Sequence, residues 1–316
     1  MKSLITRLLL ATAVAWGSAS AQPVTKVVVP FTAGGGTDVY VRLLTAELSK
    51  SLPVIVENKP GASGNIAADY VAKSRADGHT VFVGTNSTLA NNTVLFDKLS
   101  YDPLKDFTPV THIGYQPIII VARADAPYKT LQEMVAYAKA NPGKINRGSP
   151  GAGIISNLAP LMFERQAGIK TTHVPFTGDS QGIQALLSGT IDIHGTTITG
   201  PLPHIQSGKI RVLGVMDSKR LPQLPNVPTF KEAGYDVEAY AWYTLVAPAG
   251  TPRDAVDRLN KAVNQVLARE DFIAKARSMG MEPRGGSPED LGKYIHNEYD
   301  RWVPLLKSLD LTKSTY

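Results

Sequence analysis

The chain has 316 residues, with 27 glycines, 22 prolines and no cysteine. The missing cysteines exclude a disulfide framework, thiolate metal sites, iron–sulfur clusters and a thiol nucleophile. Apolar residues make up 43% and charged residues 19%, as in a globular protein, and a net charge of +6 without basic runs argues against nucleic-acid binding.

The first residues read as a secretory signal peptide. Lys2 and Arg7 are followed by an apolar run from Leu8 to Trp16 and by Ala19-Ser20-Ala21, with cleavage expected after Ala21. The run is too short to span a bilayer. Removal of residues 1–21 lowers the net charge from +6 to +4. At roughly 150 residues per domain, two domains are expected in the rest.

From Gln22 onward, strand and helix signals alternate. Val24 to Pro30 holds a β-branched run. The turn Thr32-Ala33-Gly34-Gly35-Gly36 follows, and then Thr37-Asp38 can cap a helix with Val41, Leu44 and Leu48 on its inner face. Pro53 to Val56 reads as a strand, residues 58–64 as a loop, Ile66 to Arg75 as a helix and Thr80 to Gly84 as a strand. Farther on, Pro117 to Ala122 is a strand and Thr130 to Ala140 a helix with a Thr130/Glu133 capping box. Strands at Ile145–Gly148 and Thr171–Phe176 each lead into a helix, ending at Gln166 and Leu187 respectively. Ile191–Ile193, Ile210–Met216 and Tyr240–Ala247 are further strands, and the tail from Pro252 is helical in three pieces. This alternation predicts parallel sheets with helices on both faces.

Four turns share one chemistry: Phe31–Asp38, Thr85–Thr88, Ser149–Gly153 and Phe176–Ser180. Each joins the C-terminal end of a strand to a helix start, the edge where open α/β sheets bind ligands. Helix starts leave backbone N–H groups unpaired and carry about half a positive charge. Glycine admits close approach and Ser/Thr hydroxyls add donors, so a small anion fits without lysine or arginine. Small polar residues at these places are also good helix caps whatever the function.

Enzyme signatures are sparse. Gly61-Ala62-Ser63-Gly64-Asn65 lacks the spacing of a nucleophile elbow, no phosphate-binding P-loop is present, and Gly34-x-Gly36 and Gly151-x-Gly153 lack the third glycine of a dinucleotide fingerprint. The six histidines are scattered, so neither a metal nor a cofactor is expected. His194 with Asp192 could form an acid–base pair or be a hydrogen-bonded strand histidine. Tyr40, Trp242 and Tyr243 read as packing residues, with Trp242 alternatively bordering a cleft.

The segment Pro30-Phe31-Thr32-Ala33-Gly34-Gly35-Gly36-Thr37-Asp38, followed by Arg42, resembles the opening motif of Bug-type solute-binding proteins of the tripartite tricarboxylate transporter system. The likeness continues through residues 56–66, 76–80, 148–151, 173–178, 189–192, 224–235 and 247–252, in order along the chain. The resemblance implies a type II periplasmic binding-protein fold, two α/β lobes closing over a small carboxylate (a dicarboxylate, aromatic acid or amino acid). It implies carboxylate contacts at the first turn and the Ser149 turn. Three places depart from the family pattern. Arg147 stands where an apolar or aromatic residue is usual, Asn157 where histidine is common, and Gly195-Thr196-Thr197 where bulkier groups occur. By strand alternation Arg147 shares the Ser149 side, to contact an anion or to be a solvated strand end.

The expectation is therefore a monomeric periplasmic binding protein that delivers a small organic carboxylate to the membrane subunits of such a transporter, with no catalysis. Lobe 1 is expected over 22–111 plus 245–316, and lobe 2 over 112–244. The expected ligand-binding residues are Phe31, Gly34, Gly35, Thr37, Thr85 and Ser87 from lobe 1. Lobe 2 would supply Ser149, Gly151, Gly153, Phe176, Thr177, Gly178 and Asp192. Phe31 and Phe176 would cover the ligand body; Asp192 would orient a water, accept from a ligand hydroxyl or amine, or hold its loop. The alternatives are a periplasmic hydrolase or lyase using His194 and Asp192, and a ligand-sensing partner of a receptor.

Overall fold

The computed structural model describes residues 23–151 and 153–308; the signal-peptide expectation lies outside them. The first half runs β1 (Thr25–Val29), α1 (Gly36–Leu48), β2 (Val54–Asn58), α2 (Asn65–Ala72), β3 (Thr80–Thr85), α3 (Asn92–Leu95) and β4 (Phe107–Arg123). The second runs α4 (Leu131–Ala140), β5 (Asn146–Ser149), α5 (Ile155–Ala167), β6 (Thr172–Pro175), α6 (Asp179–Leu187), β7 (Ile193–Thr197), α7 (Leu202–Gln206) and β8 (Ile210–Val215). The chain then returns through β9 (Tyr240–Pro248), α8 (Arg253–Leu267), α9 (Glu270–Ser278), β10 (Glu282–Pro283) and α10 (Pro288–Ser308).

The strands lie in the order β2-β1-β3-β9-β4-β7-β5-β6, with β8 and β10 also pairing with β4. Pairing is parallel within β2-β1-β3 and β7-β5-β6, as the alternation predicts. It is antiparallel wherever β4 or β9 takes part, so the sheet is mixed rather than wholly parallel. The 17-residue β4 serves both halves. Phe107–Pro117 pair with β9, and Ile118–Arg123 pair with β7 and β8. By register the change from one half to the other comes at Pro117/Ile118, inside a continuous strand, whereas the expected lobe limits fall at Thr111/His112 and Thr244/Leu245.

Both sheet faces are buried, which explains the unbroken apolar strands. Val27 and Val29 face a core shared with α1 and α8, while Val28 faces α2 and the start of α10. In the second half Ile118 and Ile120 pack with α4 and α5, and Ile119 and Val121 with α6. Each fully buried side chain of this size contributes roughly 1.5–3 kcal/mol. Along α8, Val256, Leu259, Val263 and Leu267 are buried, a helical stripe that seats the C-terminal segment on the first half. Gly114 has φ +156°, and a side chain there would press on the Glu282 carbonyl, so glycine lets β10 close onto β4. At α4, Thr130 Oγ1 accepts from Glu133 N–H at 3.1 Å, as the capping box predicts. Its return bond differs, since Glu133 Oε2 accepts from Lys129 N–H rather than from Thr130.

Candidate functional site

A cavity of about 500 Å³, including its open mouth, lies where the two halves meet. It is lined from the first half by Phe31, Gly35, Gly36, Thr37 and Thr85–Ser87, and from β9 by Ala241–Tyr243. The second half supplies Pro150, Ile154–Ser156, Asp179, Thr196 and Thr197. The C-terminal ends of β1, β3 and β7 thus converge with the starts of α1, α5 and α6. Among these lining residues Asp179 is the one with a charged side chain.

The first turn is rigid for a local reason. Asp38 Oδ2 accepts from Gly34 N–H at 2.9 Å, and its carboxylate also accepts from Arg42 Nε and Asn58 Nδ2. Burial pushes the Asp38 carboxyl pKa up, but the Arg42, Gly34 and Asn58 hydrogen bonds outweigh it and hold the group below its ordinary value. The first bond closing α1 runs from Val39 N–H to Gly35 O, at 3.0 Å. The amides at the very start of the helix are therefore the ones that a helix leaves to an outside acceptor.

The second wall is a set of hydroxyls. Thr85 Oγ1 and Ser87 Oγ are 2.9 Å apart, so one donates to the other, and Thr88 Oγ1 lies 3.4 Å from Thr85 Oγ1. Asn86 Oδ1 accepts from Trp242 N–H at 3.1 Å, which ties the β3 turn to β9. Trp242 is buried, and its indole N–H donates at 2.9 Å to Glu298, which is not among the cavity's lining residues. Burial raises the Tyr243 phenol pKa against the pull of its Thr37, Gln116 and Thr197 partners, so it stays a protonated donor.

Of the expected residues, Phe31, Gly35, Thr37, Thr85 and Ser87 line the cavity. Gly34 does not, because its N–H is spent on Asp38. The second half presents different atoms from those expected. Ser149 is fully buried beneath the turn, donating to Gly151 O at 3.0 Å and lying 2.8 Å from His173 Nε2. Burial first, then the Arg147 and His194 charges, push His173 down to about 4. Gly151 and Gly153 instead face the first half, with Gly153 N–H donating to Ser63 Oγ at 3.2 Å. Phe176 packs into the α6 core, and Thr177 is exposed, its hydroxyl donating to Gln181. Gly178 abuts Thr32, leaving no room for a side chain. Asp192 precedes β7, whose other end reaches the cavity, so it sits at the opposite sheet edge. There it accepts from Asn146 N–H at 2.9 Å and holds a loop, one of its three expected roles.

Arg147 corrects both of its expected roles. It is 1% exposed and lies under α5, paired with Glu164 at 2.6 Å and donating to Asn157 at 2.7 Å. It is neither a cavity residue nor a solvated strand end. His194 likewise bonds not Asp192 but Asp179, at 3.0 Å. Sequence reading missed Asp179, Asn86, Ser156, Thr196 and Thr197. Thr196 and Thr197 lay in view as small polar replacements at a strand's C-terminal end. Asp179 was hidden as an ordinary acidic first residue of a helix.

A model of the tripartite tricarboxylate transporter family receptor (TctC) matches residues 40–311. The chain belongs to this family of periplasmic solute-binding proteins. BugT of Bordetella pertussis is 31% identical over 291 residues, 91% of this chain and 89% of BugT. Solved structures are as close. MatC of Rhodopseudomonas palustris with bound malate is 36% identical, with a TM-score of 0.83 over 88% of this chain and 97% of MatC. An R. palustris protein with adipate is 35% identical, with a TM-score of 0.87 over 90% of this chain and 96% of the other. No helix among the described residues is long and apolar enough to cross a membrane.

Proposed function

We propose that this TctC-family chain binds a small organic carboxylate in the cavity between its halves and delivers it to the membrane subunits of a tripartite tricarboxylate transporter. The observation that carries this reading is the lining itself. The α1 start and hydroxyls from both halves converge on one cavity without a lysine or arginine among its lining residues. Helix-start amides each contribute roughly 0.3–1 kcal/mol to an anion, more when buried, and hydroxyl donors add to this. The carboxylates held by MatC and the adipate-bound relative support the same chemistry here.

The two halves act as lobes, with β4 and the approach to β9 as the crossing segments. Ligand binding and closure stabilise each other, because the lining comes from both sides. The reaction is capture and release without turnover, and the region of action is the periplasm, reached through the signal peptide. A thermal-shift screen of the secreted chain against mono-, di- and tricarboxylates tests this. A ligand bound only by the folded state raises the melting temperature with concentration; at a hundredfold excess over Kd the folded state is stabilised by about 2.7 kcal/mol. A flat response to every carboxylate, with a rise from uncharged sugars or cations alone, overturns the reading.

A further inference from the structure

A carboxylate in a cavity built for carboxylates needs explaining. Asp179 is about nine-tenths buried and lines the cavity. Its Oδ1 accepts from Thr196 Oγ1 at 2.5 Å and lies 3.0 Å from His194 Nε2. Its Oδ2 is buried and has no partner among the described residues. The arrangement is built rather than incidental. The His194 ring sits where a side chain at position 182 would be, so Gly182 makes its place, and a methyl group at Gly200 would run into Oδ2. A methyl group at Gly35 of the opposite half would lie 3.4 Å from Asp179 Cβ, so Asp179 stands at the seam between the halves.

An acceptor left buried without a donor destabilises its surroundings, and more so when charged. His194 and Thr196 fix Oδ1 and thereby the orientation of Oδ2. A ligand that brings only carboxylate oxygens to this wall meets like charge. A ligand that also carries an N–H donor satisfies Oδ2 and gains a charge-assisted hydrogen bond.

We infer that Asp179, oriented by His194 and Thr196, selects carboxylates that carry an amino group over their unsubstituted counterparts. This rests on the carboxylate-binding reading above and names its ligand class. The ligand carboxylate meets the α1 amides and the hydroxyl wall, and its ammonium enters beside Asp179 at the seam, where Oδ2, enclosed without ligand, lacks a donor among the described residues.

The test is calorimetric titration of the full chain with matched pairs: aspartate and succinate, glutamate and glutarate, phenylalanine and 3-phenylpropionate. In the pair that binds, the amino member should be favoured by about tenfold or more, the range of one charge-assisted hydrogen bond. Asp179→Asn keeps the shape and an acceptor for Thr196, and should abolish the preference by weakening the amino member alone. If Asp179→Asn fails to fold, the wild-type ratios decide. Equal or tighter binding of the unsubstituted acid, or equal loss of both members in the variant, overturns the inference and leaves carboxylate binding standing. Binding confined to unsubstituted carboxylates in the thermal-shift screen has the same meaning. Silence toward every carboxylate overturns the underlying reading as well.

Discussion

Single residues divide into those that face the cavity and those that hold the turns which line it. Arg147 belongs to the second kind. Removing one partner of a buried ion pair strands a charge, so Glu164→Ala should cost about 3–5 kcal/mol in denaturant unfolding while carboxylate affinity stays within about twofold. A large loss of affinity at unchanged stability would instead make Arg147 part of the site. Two histidines contribute to the acid behaviour. Burial pushes His112 and His173 each down to about 4 from an ordinary 6.5. Between those values the unfolded chain binds more protons than the folded one, so stability falls as pH drops from 6.5 toward 4 and is fully present above that window. His173→Gln should flatten part of this slope in urea titrations at several pH values; an unaltered slope would remove His173 as a cause. Arg147 also shows what strand alternation can convey. It assigned the side shared with Ser149 correctly enough, but that side is buried beneath the turn, and period two alone does not say whether a face meets a cavity or a helix.

Elements were more legible than contacts. The apolar run Val27-Val28-Val29, the Val41/Leu44/Leu48 stripe and the Thr130 cap each follow from local preference, and each stands in the fold close to where periodicity puts it. Missing were the first half of β4, the two-residue β10 and the short helices α3 and α7. Phe107–Gln116 carries Pro109, His112 and Gly114, which mask an apolar rhythm, and its pairing partner β9 lies more than a hundred residues away in sequence. The same long-range pairing makes the sheet mixed, which alternation of neighbouring elements does not encode. The halves touch through Thr32 Oγ1, 2.9 Å from Ser180 Oγ, and through Ser63 and Gly153. One such bond is worth about 0.5–1.5 kcal/mol, so Thr32→Val should weaken carboxylate affinity by roughly two- to tenfold through easier opening. Small-angle scattering would show a larger radius of gyration for the liganded variant. An affinity equal to wild type would mean that this bond does not help hold the closed form.

Across the whole molecule, two α/β halves share β4, and their strand ends meet in one cavity. Most of the first-half side of that cavity was legible, Asn86 excepted, since glycine, threonine and serine at a strand-to-helix turn have a fixed chemistry. The second-half side was not, because residues 149–153 and 176–178 turn their polar atoms to one another and to the opposite half. Asp179, Thr196 and Thr197 face inward in their place. On the function proposed here, amides and hydroxyls from both halves hold a carboxylate without a basic side chain. Calorimetric titration of the wild type and of a Thr37→Val/Thr85→Val double variant, with the carboxylate that most raises the melting temperature, addresses it directly. One site per chain is expected, with an affinity at least about tenfold weaker in the variant at a similar melting temperature without ligand. Equal affinity in the two proteins would contradict it.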